Sequence, residues 1–385
     1  AQKGMKFTQA YASSISSPSR ISLYTGMNSA RHRVTNWTLN RNKSEDNKDS
    51  ILTFPNWNVN GFCQETTIEN CAAATSMAQV LKDNGYYTIH CGKAPFGAVT
   101  TPGENPLNLG LDVNIAGHAG GAPASYLATK NFGNPTDGSQ TPDFAVPGLE
   151  KYYGQDIFLT EVLTREALSA VQKSREADKP FFLYMSHYAI HLPHNIDDRF
   201  FQKYLDKGLN KREAAYAALI EGMDKSLVDI MNYLDMEQLS DNTIVIFMSD
   251  NGGYALEDFW GKREFEQNYP LSCGKGSAYE GGIREPMIVY WPGVTRPNSV
   301  CDDYLIIEDF YPSILEMAGI KKYKTIQTID GKSFVPLLTG KGNPSKNRKL
   351  FWNFPNGWGD GRPGCAPTCT VRDGDWKLIY NYKTG

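Results

Sequence analysis

The chain has 385 residues, 41% of them hydrophobic and 21% charged, the proportions of an ordinary folded chain, which exclude collagen-like, coiled-coil and wholly disordered classes. A formal net charge of −3 offers no broad positive field to nucleic acid phosphates, so no nucleic-acid partner is expected. No run approaches the roughly 18 consecutive apolar residues of a membrane span, and no basic-then-apolar leader opens the chain.

At roughly 100–200 residues per domain, the length accommodates two units, or one large α/β unit with an appendage. Taken in chain order, Pro18 sits where a proline suits the first turn of a helix, in a Ser-rich stretch around Ser16. Residues 36–65 and 97–149 are rich in Asn, Gly, Thr and Pro and lack periodicity; they read as long surface loops, which usually serve a site. Between them a helix is predicted over 69–84, closing at Gly85, a residue suited to a left-handed cap. Another is predicted over 157–177. Tyr216, Leu219, Met223, Leu227, Ile230 and Leu234 recur every three or four residues and mark one apolar helical stripe.

The strands are read from three apolar runs, Phe181–Ser186 (FFLYMS), 243–249 (TIVIFMS) and 287–291 (MIVYW). Each is too apolar to face water and suits an inner strand covered on both sides. Strands alternating with amphipathic helices predict an α/β fold with a mixed, mainly parallel central sheet flanked by helices. From residue 343 the composition shifts to Gly, Pro, Asn and Trp and ends in TVRDGDWKLIY (370–380), which alternates as an antiparallel hairpin would. The expected organisation is an α/β catalytic domain over 1–342 and, over 343–385, the start of a smaller antiparallel C-terminal subdomain, cut short. Seven cysteines, an odd number, suggest no disulfide framework; Cys365 and Cys369 lie four apart and read as a local disulfide or half a zinc site.

The chemistry gathers at a few places. Ser16-Ser17-Pro18-Ser19-Arg20 combines a nucleophile-sized side chain, a helix start and a cation one turn on, which together suit an anion. Asp250-Asn251 closes an apolar strand ahead of Gly252-Gly253. Side chains there emerge at a strand's C-terminal end, where open α/β sheets place their sites, and hard oxygens suit Ca²⁺ or Mg²⁺. A plain Asn/Asp turn is the alternative. Lys93 and Lys275 sit beside glycines that let an ammonium approach an anion, His191 follows the strand Phe181–Ser186, and His118 lies in the glycine-rich AGHAGGAPASY (116–126). His118 reads equally as a sugar contact or as part of a surface turn.

SSPSRISLYTG (16–26) resembles the formylglycine motif of the sulfatase family, C/S-x-P-S-R followed by L-x-T-G. Further similar strings follow in order: GYYTIHCGK (85–93), FFLYMSHYAIHLP (181–193), EGMDKSLVDIMNYL (221–234), DNTIVIFMSDNGG (241–253), GKGSAYEGGIREPMIVYWPG (274–293) and VRDGDWKLIY (371–380). The resemblance, spanning nearly the whole chain, implies an alkaline-phosphatase-like sulfatase fold and hydrolysis of sulfate esters, with a sulfated carbohydrate as substrate. It implies that Ser16 is oxidised to formylglycine by a formylglycine-generating maturase of the serine type, and that Ser16, Asp250 and Asn251 hold a divalent ion. Arg20 would stabilise the nucleophile, Lys93 and Lys275 would bind the sulfate, and His191 would protonate the leaving alcohol. Residues 280–286 would hold the Lys275 loop, while His187 and His194 fall off the motif. A periplasmic or secreted location is implied in the same way.

Two departures stand out. Sulfatases open with an apolar strand ending in an Asp pair that completes the metal site, whereas this chain begins at AQKGMKFTQAYASS; the reading is truncation. The family also places a His two residues after the lysine of its GK motif, where this chain has Pro95; His118 or His187 could supply that contact. Two rivals remain. A phosphate or phosphonate ester hydrolase of the same superfamily would normally need two transition metals held by several histidines, a set that His32, His90, His118, His187, His191 and His194 do not form. A non-catalytic glycan-binding homologue is favoured by 7 Trp, 21 Tyr and 18 Phe.

Overall fold

The computed structural model describes residues 2–254, 267–358 and 364–385. The chain divides into two compact units, one made of Ala1–Val80, Phe96–Gly103 and Asp241–Gly385, the other of Leu81–Pro95 and Glu104–Ser240.

The first unit is built on a five-stranded mixed sheet. Met5–Tyr11 lies antiparallel to Arg284–Tyr290, which pairs antiparallel with Val245–Met248, while Ser299–Cys301 and Leu305–Ile306 run parallel to Met5–Tyr11. Phe7, Ala10, Tyr11, Met287 and Val289 are buried in its core; Met287 and Val289 follow the two-residue period of a strand, while the register shift between Phe7 and Ala10 lets both Ala10 and Tyr11 be covered. The helix Ser16–Thr25 leaves the first strand and stops at Gly26, whose left-handed φ of 66° is open to glycine. Residues beyond 343 form the expected antiparallel sheet, with Thr368–Asp373 between Leu350–Phe354 and Trp376–Asn381. It is fastened by Trp352 Nε1 donating to Ala12 O, just past the first strand, at 2.9 Å and by Arg372 donating to Gln9 Oε1 within that strand at 2.6 Å.

The second unit holds an all-parallel three-stranded sheet, with Tyr87–Gly92 between Val113–Ile115 and Phe181–Ser186. The helix Leu159–Glu176, expected over 157–177, packs Leu159, Val162, Leu163 and Ala167 into a core with Tyr126, Phe132, Val146, Tyr188 and Leu219. The helix Lys211–Met236 starts from a capping box between Asn210 and Glu213.

Three sequence expectations change. The helix over 69–84 shortens to Met77–Asp83, because Ala72–Ala73 is captured as a parallel strand by Phe62–Cys63. The predicted stripe is only part of the buried face of Lys211–Met236: Leu219 and Leu234 are buried and Tyr216, Met223, Leu227 and Ile230 partly so, but Glu213, Ala214, Ala215, Ala218, Gly222 and Ser226 are buried as well. Small residues there allow close approach to Leu159–Glu176, where the Ser226 and Thr164 hydroxyls meet at 2.6 Å. Phe181–Ser186 and Val245–Met248 each end a sheet and are mostly half-buried, whereas Arg284–Tyr290 is interior. Apolar composition reports that a strand's faces are covered, and says less about how many neighbours its edges have.

Candidate functional site

In the first unit, Ser16 begins its helix after Ile15, which is extended and contributes no side-chain cap. The first-turn amides therefore present the positive end of the helix dipole around Ser16. Both Ser16 and Arg20 are almost fully buried. Arg20 donates from Nε and a terminal nitrogen to Asp250 Oδ2 at 3.0 and 2.9 Å, and the Ser16 hydroxyl donates to Asn251 Oδ1 at 3.3 Å. Ser19 locks helix to strand end, its hydroxyl donating to Asp250 O at 2.5 Å while accepting from Ser13 N at 2.9 Å.

The turn after Asn251 is packed backbone to backbone. A Cβ on Gly252 would lie 1.8 Å from Gly281 O, so the Gly252 position needs glycine. Lys275 N donates to Gly253 O at 2.9 Å, and Gly276 N donates to Ser14 O at 2.8 Å, two residues before Ser16. The Lys275 ammonium lies 5.8 Å from the centre of the Trp358 ring. Residues 280–284 support this loop: Gly281 N donates to Ser272 O at 2.8 Å, while Glu280 accepts from Tyr11 and Lys377, each at 2.8 Å. The structure thus gathers Ser16, Arg20, Asp250 and Asn251 and ties the Lys275 loop to the same turn.

The Ser16 hydroxyl, Asp250 carboxylate and Asn251 amide oxygen are hard donors, the chemistry that Ca²⁺ or Mg²⁺ takes. They fit such an ion in type, but are fewer than the six to eight oxygens calcium normally gathers. Among the described residues no group of three or more His, Cys, Asp or Glu side chains stands at metal-binding distance. Glu285, missed by sequence reasoning, lies buried in the neighbouring strand, and burial together with the Asp250 charge raises its pKa well above the carboxylate norm. A lone acid inside an apolar strand was the available signal.

In the second unit, Lys93 is buried and clamped by Ser186: its N–H donates to Ser186 O at 2.7 Å and its carbonyl accepts from Ser186 Oγ at 2.6 Å. Gly92, at φ 99°, permits that approach, since a Cβ there would lie 2.0 Å from Ser186 O. His191 N donates to Tyr188 O at 2.9 Å, and its Nδ1 lies 3.1 Å from Leu192 O. Tyr126, another residue the sequence did not flag, holds this turn through its hydroxyl, 2.8 Å from Tyr188 O and 2.9 Å from His191 O.

His118 accepts from Gly120 N at 3.0 Å through Nδ1, and burial lowers its pKa to about 4. It is a neutral imidazole with its proton on Nε2, a buried atom without a partner among the described residues. A Cβ added to Gly121, next along its loop, would lie 3.8 Å from both Lys93 Cε and Pro95 Cβ. His187 instead points into the core, with Nε2 3.3 Å from Ser226 Oγ, and His194 packs on Tyr216 with ring centres 5.3 Å apart. Of the two histidines considered in place of the residue at Pro95, His118 is the one on the Lys93 side.

Comparison with known proteins shows the family to which the chain is similar. The sulfatase family model matches residues 1–320, and that of the N-sulphoglucosamine sulphohydrolase C-terminal region matches residues 273–385. A sulfatase of Formosa agariphila is 30% identical over 100% of this chain and 74% of its own length. An N-acetylgalactosamine-6-O-sulfatase of Bacteroides thetaiotaomicron is 29% identical over 98% of this chain and 76% of its own. Among solved structures, Ps i-CgsB superposes with a TM-score of 0.78 at 25% identity, covering 100% of this chain and 77% of that one. It has also been solved in complex with k-i-k-neocarrahexaose.

Proposed function

Because the chain belongs to the sulfatase family, whose members are sulfuric ester hydrolases, we propose that it removes sulfate from a carbohydrate, using Ser16 matured to formylglycine. The observation that carries this reading is the junction of Ser16, Arg20, Asp250 and Asn251 at a helix N-terminus. The carbohydrate substrate is supported by the named action of the Bacteroides relative and by the oligosaccharide bound to Ps i-CgsB.

A serine hydroxyl is almost wholly protonated at neutral pH and is a weak attacker on sulfur. Oxidation to an aldehyde and hydration to a geminal diol give residue 16 two hydroxyls. One attacks sulfur, forming the S–O bond as the ester bond to the alcohol breaks; the other then expels sulfate and restores the aldehyde. The Arg20 guanidinium stabilises the attacking oxygen, and Lys275 takes up charge on the sulfate oxygens, with Lys93 in the same role. His191, its Nδ1 turned to Leu192 O, delivers the proton to the leaving alcohol from Nε2. His118, on the Lys93 side, is a further substrate contact in this reading. Asp250, Asn251 and residue 16 would hold a Ca²⁺ or Mg²⁺ ion, which supplies positive charge at the attacking oxygen when bound. A periplasmic or secreted location and a serine-type maturase complete the proposal.

The decisive experiment couples mass spectrometry of the tryptic peptide over residues 7–20 with turnover of defined sulfated mono- and oligosaccharides. The expected results are a peptide lighter by two hydrogens and sulfate release that tracks that species. Full sulfate release by protein whose Ser16 is entirely unmodified would overturn the mechanism.

A further inference from the structure

We propose that Cys63 and Cys71 are a disulfide-forming pair that staples the segment 64–70. The backbone sets them on one face of a two-strand ladder, diagonally across it. Phe62–Cys63 and Ala72–Ala73 run parallel, with Phe62 opposite Ala72 and Cys63 opposite Ala73. Side chains alternate faces along a strand, so Cys71 projects on the same face as Ala73 and Cys63. Cys63 is buried and Cys71 half-buried. The Cys71 thiol donates to Asn60 O at 3.4 Å and the Cys63 thiol to Glu65 O at 3.1 Å. The neighbouring sulfur is also the largest influence on each thiol's acidity, lowering the Cys63 pKa and raising that of Cys71.

Closing the bond brings the two sulfurs to about 2.05 Å. Cys71 can supply that shift, because it lies beyond the last ladder pair and follows Asn70, which is at a left-handed φ of 53°. The half-exposed Cys71 first exchanges with a small disulfide such as oxidised glutathione, releasing one thiol. The Cys63 thiolate then attacks the Cys71 sulfur and expels the second. Two protein thiols are oxidised and one disulfide is reduced to two thiols, so electrons and protons balance.

The staple would act where residues 36–65 are organised. Asn60 donates to Asn42 Oδ1 at 2.7 Å and to Glu69 O at 2.9 Å, while its own side-chain oxygen accepts from Asn42 N at 2.6 Å. A bond between Cys63 and Cys71 ties down both chains that meet at this residue.

The test uses the full-length protein equilibrated with oxidised glutathione, then denatured in N-ethylmaleimide and cut after glutamate. Glu65 and Glu69 both lie between the two cysteines, so the pair falls in separate peptides. The expected result is one linked species that splits in two on reduction, with neither cysteine labelled. Labelling of both after oxidation, or linkage of either to a different cysteine, overturns the proposal. Neither outcome bears on sulfate release, which is measured separately.

Discussion

Asp250→Asn tests the core of the site. Arg20 is almost fully buried and spends two N–H groups on one carboxylate oxygen, at 3.0 and 2.9 Å. Asparagine keeps the shape and one acceptor but removes the counter-charge. Breaking a buried pair by deleting one partner costs about 3–5 kcal/mol. Because the Asp250 side chain is 22% exposed, water takes up part of that charge, and about 2–3 kcal/mol is expected to remain. At about 2–4 °C per kcal/mol for a cooperative unit of 150–250 residues, the melting temperature should fall by roughly 4–12 °C. The measurement is made in chelator, so that the effect belongs to Arg20. Sulfate-ester turnover measured with metal present should fall by about a thousandfold. The double variant with Arg20→Gln should be no less stable than Asp250→Asn alone, since the stranded cation is then gone. If Asp250→Asn melts with the wild type, or if the two losses simply add, Arg20 and Asp250 do not form the pair described.

Four further outcomes are expected. Ser16→Ala should abolish turnover yet change stability by less than about 1 kcal/mol, the worth of one long hydrogen bond; residual turnover near wild type would show that Ser16 is not the nucleophile. Gly252→Ala should destabilise by about 1–3 kcal/mol, since its Cβ would meet Gly281 O at 1.8 Å, and denaturant melts matching the wild type would refute that packing. His32, buried beside Ser22 Oγ, has its pKa lowered by burial to about 3 from 6.5. The unfolded chain therefore binds that proton first, stability drops as pH falls below 6.5, and by pH 5 the loss reaches about 2 kcal/mol; a His32→Asn protein with an unchanged pH slope would argue against it. Glu308 runs the other way: burial first, then Asp309, raise its pKa to about 7 from 4.5. Its penalty builds as pH rises from 4.5 to 7, so Glu308→Gln should stabilise by up to about 3 kcal/mol at pH 8 and hardly at all at pH 4, as read from paired thermal melts.

The sequence determined the elements that local chemistry controls. The 3.6-residue period of Leu159–Glu176 needs only its own side chains, and Gly26 and Gly85 announce chain reversals because glycine tolerates positive φ without strain. The strings around Ser16, Asp250 and Lys275 could be singled out because a serine at a helix start, or an Asp-Asn pair at a strand end, is recognised from residue type and immediate neighbours. Non-local pairing decided the rest. Whether Phe181–Ser186 and Val245–Met248 sit inside or at the end of a sheet depends on strands far away in the chain, and so does the capture of Ala72–Ala73 by Phe62–Cys63. The contacts of Ser19 and Tyr126 were invisible for the same reason, each reaching a residue 231 or 65 positions away, and so was that of Glu285 with the charge of Asp250 on another strand end. The Arg20 to Asp250 contact spans 230 residues; only folding converts two ordinary charged side chains into one buried pair, because burial, rather than identity, gives their interaction its strength.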